Sequence, residues 1–155
     1  MGRITIHLHG APKEKSCGEL IDMYGKRLIV KGIKLEIHNS KKSLEQYFAD
    51  IDDGSNVILL DERGAHYDSI EFADKVNNWL IDNRNTNVAI GPVDGWKEVW
   101  QNRQINLISL SKMTFPHELA SVMLLEQLYR ATQIASGSNY HCLLYTSPSP
   151  RDPNR

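Results

Sequence analysis

Three short segments of this chain gather residue types from which a ligand site can be built. They are Leu60-Asp61-Glu62-Arg63-Gly64, Gly91-Pro92-Val93-Asp94-Gly95 and Leu110-Ser111-Lys112-Met113-Thr114-Phe115-Pro116-His117. Each follows a run of apolar residues. Glycine has no Cβ, so its backbone can come close to a ligand. The middle segment has neither the dinucleotide spacing nor the P-loop spacing, so by itself it is a poor phosphate site. Cys17 and Cys142 offer no disulfide framework and no zinc spacing. No metal is expected.

Other polar and aromatic residues read as structural. His7 and His9 share one face of a strand. His117, just inside a helix start, reads as turn-stabilising. Asp94 reads as the cap of a following helix. Trp96 and Trp100, at helical spacing, read as packing. Arg130 lies four residues after Glu126, so the two can pair on one helix face; that pairing leaves room for a second role.

The elements that must position these segments follow from periodicity. Residues 3–9 alternate and then meet Gly10-Ala11-Pro12, a strand and a turn. Residues 13–30 form a helix with Leu20, Ile21, Tyr24 and Leu28 on one face. Ile33 to Ile37 alternates as a strand, and Ser43 to Ala49 reads as a short helix. Asn56 to Leu60 and Asn87 to Gly91 are continuous apolar runs, as in strands buried on both faces of a parallel sheet. Between them lies a helix with Phe72, Val76, Trp79 and Leu80, capped by Asp68 or Ser69. Trp96 to Asn102 reads as a short helix and Ile105 to Leu110 as a strand. Pro116 opens a last helix to about Ala135, since proline is tolerated in the first turn. Strand and helix alternate, so the fold class is α/β: a mostly parallel sheet flanked by helices. In such sheets ligands sit beyond the carboxyl ends of the strands, where all three unusual segments fall.

Composition sets limits. A chain of 155 residues with 41% hydrophobic residues fits a single domain with a real core. No run approaches the about 20 apolar residues of a membrane span. The start has no basic stretch followed by an apolar run, so no signal peptide is expected. A reducing cytoplasm is the expected location. The net charge of −1 argues against binding nucleic acid by bulk charge alone.

The tail differs. Residues 143–153 hold three of the six prolines and have no periodicity. They resemble translated sequencing-adapter read-through. The expected domain is 1–141, with 142–155 a non-native disordered tail.

The segment from Leu110 to His117, then Glu126-Gln127-Leu128-Tyr129-Arg130-Ala131, then Asn139-Tyr140-His141, resembles the RlmH family of 23S rRNA pseudouridine N3-methyltransferases. The resemblance extends to Leu60–Gly64 and Gly91–Gly95, and more loosely to the first fifty residues. It implies a SPOUT-type α/β fold with a C-terminal trefoil knot, a homodimer, and S-adenosylmethionine held in the knot. The cofactor contacts it implies carry over to Leu60, Gly91, Leu110, Ser111, Lys112, Met113, Thr114 and Phe115. Leu60, Leu110 and Met113 can form an apolar slot for adenine. Arg130, Tyr140 and His141 fall on the RNA side: Arg binds phosphate bidentately, Tyr stacks on an unpaired base, and His can hydrogen-bond base or phosphate. Methyl transfer from a sulfonium requires in-line positioning more than acid–base groups.

One departure stands out. The family loop reads Gly-Gly-Pro-Glu-Gly or close to it, and here Pro92 replaces the second glycine. The resemblance implies methylation of N3 of a pseudouridine in 23S rRNA on the assembled ribosome. Three alternatives stay open: the same chemistry on another RNA such as tRNA, a ribosome-binding protein that has lost methyl transfer through Pro92, and a small α/β ligand-binding module.

Overall fold

The structure, a computed structural model, describes residues 2–101 and 103–137. Its elements run β1 (Ile4–His9), α1 (Lys15–Ile29), β2 (Ile33–His38), α2 (Leu44–Ile51), β3 (Asn56–His66), α3 (Ser69–Ile81), β4 (Thr86–Ile90), β5 (Asn106–Ser109) and α4 (His117–Ala135). The strands form one sheet in the order β2-β1-β4-β3-β5, and every pairing is parallel. The expected α/β class holds.

Alternation along the strands divides the core in two. Ile4, Ile6 and Leu8 on β1, with Ile58, Val88 and Ile108, meet Ile21, Phe72, Leu124 and Leu128 of α1, α3 and α4. On the opposite face Val57, Leu59 and Ala89 meet Tyr47, Phe48 and Ile51 of α2, and Trp96. Helix starts are fixed chemically. Asp68 accepts from Glu71 N at 2.8 Å and Glu71 returns the bond to Asp68 N at 2.8 Å, closing a capping box on α3. Ser43 caps α2 by accepting from Gln46 N at 3.1 Å.

Three expectations are corrected. Leu20, placed on the buried face of α1, is 40% exposed; Ile21, Tyr24 and Leu28 hold the stripe, and Leu20 lies at its margin. β3 does not end at Leu60 but runs to His66. Its register against β5 jumps, with Leu60 and Ala65 both opposite Ile108, so residues 61–64 form a bulge. Gly64 is required there, since a Cβ would lie 2.5 Å from the backbone nitrogen of Ile108. Finally, residues 96–101 form successive turns rather than a helix. Lys97 has φ of 52°, which stops helical propagation. Asp94 therefore caps nothing: it is exposed in a turn closed by Gly95 N donating to Pro92 O at 2.8 Å.

Candidate functional site

The carboxyl ends of β4 and β5 and the bulge in β3, which lies between them in the sheet, frame a cavity of about 300 Å³. Leu60, Gly91, Leu110, Ser111, Met113, Thr114 and Phe115 all line it. Lys112, the eighth residue of the expected cofactor set, is exposed and outside the lining. A local turn explains this: Ser111 Oγ accepts from Met113 N at 3.0 Å, and Ser109 Oγ donates to Ser111 O at 2.8 Å.

Two buried aromatic residues set the position of the β3 bulge and the end of β4. Trp96 Nε1 donates to Leu60 O at 3.1 Å, and the Tyr47 hydroxyl donates to Ile90 O at 2.7 Å. Their rings stack at 5.3 Å with an interplanar angle of 3°. Burial pushes the Tyr47 phenol up, so it stays a donor at every working pH. Gly91 lies against this pair, and a Cβ there would come within 3.0 Å of Trp96 Nε1. Its requirement for glycine is therefore one of space. The positive φ of the loop falls on Gly95, at 81°, so Pro92 occupies a position compatible with its ring. Trp96 was legible only as packing and Tyr47 only as part of the Ser43–Ala49 helix; the adjacency of Trp96 to the glycine loop was the available signal.

The lining is acidic on one side. It includes Asp61, Glu62 and Asp94 and, among the described residues, no Lys or Arg. Arg63 grips Asp61 with Nε to Oδ1 at 2.9 Å and Nη2 to Oδ2 at 3.0 Å, and donates to Lys97 O at 2.9 Å. These bonds hold the Asp61 carboxyl below the usual carboxylate range. Thr114 Oγ1 donates to Glu62 at 3.1 Å, tying the segment after β5 to the β3 bulge. Glu118 accepts from Lys13 N at 2.8 Å and Glu14 N at 3.1 Å, so the start of α4 is fixed to the start of α1. The result is an apolar slot with carboxylates at its edge, suited to a flat ligand that carries positive charge.

Arg130 is elsewhere. It lies thirteen residues beyond His117 on α4, roughly 20 Å along the axis, outside the lining. Its guanidinium is buried and pairs with Glu126 at 3.0 Å, the expected helix-face ion pair. Tyr140 and His141 lie outside the described residues.

Residues 2–141 match the family described as "Predicted SPOUT methyltransferase". The chain is 36% identical over 151 residues to Ribosomal RNA large subunit methyltransferase H of Anaeromyxobacter sp. (strain Fw109-5), covering 90% of this chain and 99% of that protein. It is 34% identical over 154 residues to the protein of the same name from Francisella philomiragia, again covering 90% and 99%. Among solved structures it superposes on a probable methylase family protein from Haemophilus influenzae Rd KW20 with a TM-score of 0.51 at 13% identity, over 96% of this chain and 73% of that one. That last likeness is one of fold.

Proposed function

This chain belongs to the SPOUT methyltransferase family, and from that premise we propose that it methylates large-subunit ribosomal RNA, at N3 of a pseudouridine, with S-adenosylmethionine as donor. The observation that carries the reading is the convergence of two strand ends and the β3 bulge on one cavity. Seven residues matched to the family's cofactor contacts meet there although they come from positions 60 to 115.

The residues fit the cofactor. Leu60, Leu110 and Phe115 supply apolar walls for an adenine and keep water from them. Glu62 and Asp94 set negative charge against a cationic ligand, while Asp61 is already neutralised by Arg63. Gly91 brings backbone to the slot, with the Trp96 ring packed where a Cβ would lie. When bound, S-adenosylmethionine supplies a methyl group activated by the sulfonium. The protein's part is alignment of that methyl with the acceptor nitrogen.

Family membership implies a threaded C-terminal segment and a pair of subunits. Val93 and Met113 at the cavity mouth are 83% and 73% exposed, and Leu119 nearby is 42% exposed, which supports a second copy covering them. Arg130, so far from its own subunit's cavity, then serves the cavity of the other, with Tyr140 and His141 on the same RNA side. A near-neutral chain gains affinity for RNA from that composite surface and from the shape of the ribosome rather than from bulk charge. Incubation with methyl-labelled S-adenosylmethionine tests this: label enters 23S rRNA in whole ribosomes, and nucleoside mass spectrometry finds it on a methylated pseudouridine. Label appearing only in tRNA, or in no RNA, contradicts the reading.

A further inference from the structure

A second cluster lies on the opposite half of the sheet, apart from the cavity. β1 and β2 pair in parallel with His7 beside Glu36 and His9 beside His38. Glu36 and His38 are two residues apart, so they share one face of β2 with His7 from β1. The atoms converge: His7 Nδ1 lies 2.8 Å from His38 Nε2, and Glu36 Oε2 lies 3.4 Å from the first and 3.2 Å from the second. The two imidazoles are buried, at 4% and 7% exposure, and the Glu36 side chain is partly open to solvent.

The surrounding bonds fix where the protons are. Asn87 Nδ2 donates to Ile51 O at 2.8 Å and to Asp53 Oδ1 at 3.1 Å, which turns Asn87 Oδ1 to His7 Nε2 at 3.0 Å. His7 Nε2 therefore carries the proton and Nδ1 presents a lone pair. Lys42 Nζ, a donor only, lies 2.9 Å from His38 Nδ1, so His38 carries its proton on Nε2. Two acceptors, His7 Nδ1 and Glu36 Oε2, thus share the one hydrogen on His38 Nε2. That hydrogen is all that stands between the lone pairs of His7 Nδ1 and Glu36 Oε2, which lie 3.4 Å apart. A cation at the centre would relieve this. A point about 2 Å from all three atoms lies just outside their plane, the arrangement of three protein ligands with an open fourth position.

We propose that His7, Glu36 and His38 form a binding site for a first-row divalent transition ion, with zinc as its occupant. Two imidazoles and a carboxylate suit zinc and not magnesium. Asn87 orients His7 as an outer-shell partner orients a ligating histidine. On binding, the His38 proton passes from Nε2 to Nδ1, the ring's charge is unchanged, and Lys42 withdraws to Asp50, 2.6 Å away. Lys42 is thus an antagonist of the site. This revises the expectation of no metal, which rested on cysteine spacing; the ligands here are joined by strand pairing across about thirty residues of chain. The site touches the cavity's support: the His38 and Tyr47 rings meet edge-on at 4.9 Å. It stands independently of the methyl-transfer reading.

Calorimetric titration of zinc into the full chain, stripped with chelator and free of any affinity tag, tests it at near-neutral pH. One zinc binds per chain, magnesium does not, and cobalt gives the intense visible bands of a four-coordinate ion. His7→Gln and His38→Gln lose at least about 100-fold in affinity, beyond the about 10–100-fold that loss of an outer-shell partner costs. Glu36→Gln, at a partly exposed side chain, keeps the native circular dichroism spectrum and weakens zinc by about 10-fold or more. Lys42→Gln tightens it by about 10-fold, because the amide oxygen can accept the His38 Nδ1 proton. If the histidine variants fail to fold, the Glu36 and Lys42 variants decide. Affinity weaker than about 1 mM, or zinc binding that Glu36→Gln and Lys42→Gln leave unchanged, overturns the proposal.

Discussion

The two halves of the sheet's carboxyl edge are built on different plans. At β3, β4 and β5 a bulge within β3 and the loop and turn that follow β4 and β5 leave a cavity lined with backbone, apolar side chains and carboxylates. At β1 and β2 the polar side chains stand on the strands themselves and are packed inside a hydrogen-bonded cluster beneath α2. The first half keeps space open, and the second fills it. The lesson is that a parallel sheet can carry a ligand site where irregular backbone follows its strands, and a rigid side-chain cluster where regular strands continue. Tyr47 joins the two, since its ring touches His38 and its hydroxyl holds Ile90.

The largest effect that could break this contrast comes from Gly91→Leu. Its side chain must enter the space held by Trp96, so affinity for S-adenosylmethionine falls at least about 100-fold, or about 2.7 kcal/mol, as measured by equilibrium dialysis. Zinc affinity at the other half stays within a factor of a few. Next is Tyr47→Phe, which leaves the Ile90 carbonyl without its donor. It costs about 1–3 kcal/mol in urea unfolding and weakens cofactor binding as well; a loss of stability with no change in cofactor affinity would separate the halves. Gly95→Ala meets open space but a φ of 81°, and costs about 1–2 kcal/mol. It thus distinguishes a glycine needed for conformation from Gly91, needed for room.

The smallest effect is in acid. The Asp61 carboxyl is depressed in the folded chain by Arg63. The stability it adds is therefore fully present above the ordinary aspartate range, about pH 4, and is lost as pH falls below that range through the folded value. Arg63→Gln removes this dependence, so the variant's acid-unfolding curve loses steepness below about pH 4. Unchanged steepness would mean that the pair contributes nothing at the bulge.

Much of this was legible in the sequence, and the reasons differ by element. The runs 57–60 and 88–90 are apolar throughout because both faces of β3 and β4 are covered, so they declare themselves as buried strands. Asp68 and Glu71 announced α3 at the right place. The extension of β3 through Asp61–His66 was hidden because a bulge breaks alternation and its residues are polar. The 96–101 segment mimics a helix by the spacing of Trp96 and Trp100, yet Lys97 takes a left-handed φ that no local pattern discloses. In the site, the motif residues could be named, but the supports could not: Trp96 and Tyr47 act through single hydrogen bonds to backbone oxygens. The histidine cluster was illegible because strand pairing, not spacing, assembles it.

The central claim is that the ends of β4 and β5, with the β3 bulge between them, form the S-adenosylmethionine site. Backbone amide shifts recorded during titration with the cofactor test it most directly. The account predicts saturable shifts at Leu60, Gly91 and the Leu110–Phe115 segment, with His7, Glu36 and His38 nearly still. Shifts that do not saturate, or that centre on β1 and β2 instead, would contradict it.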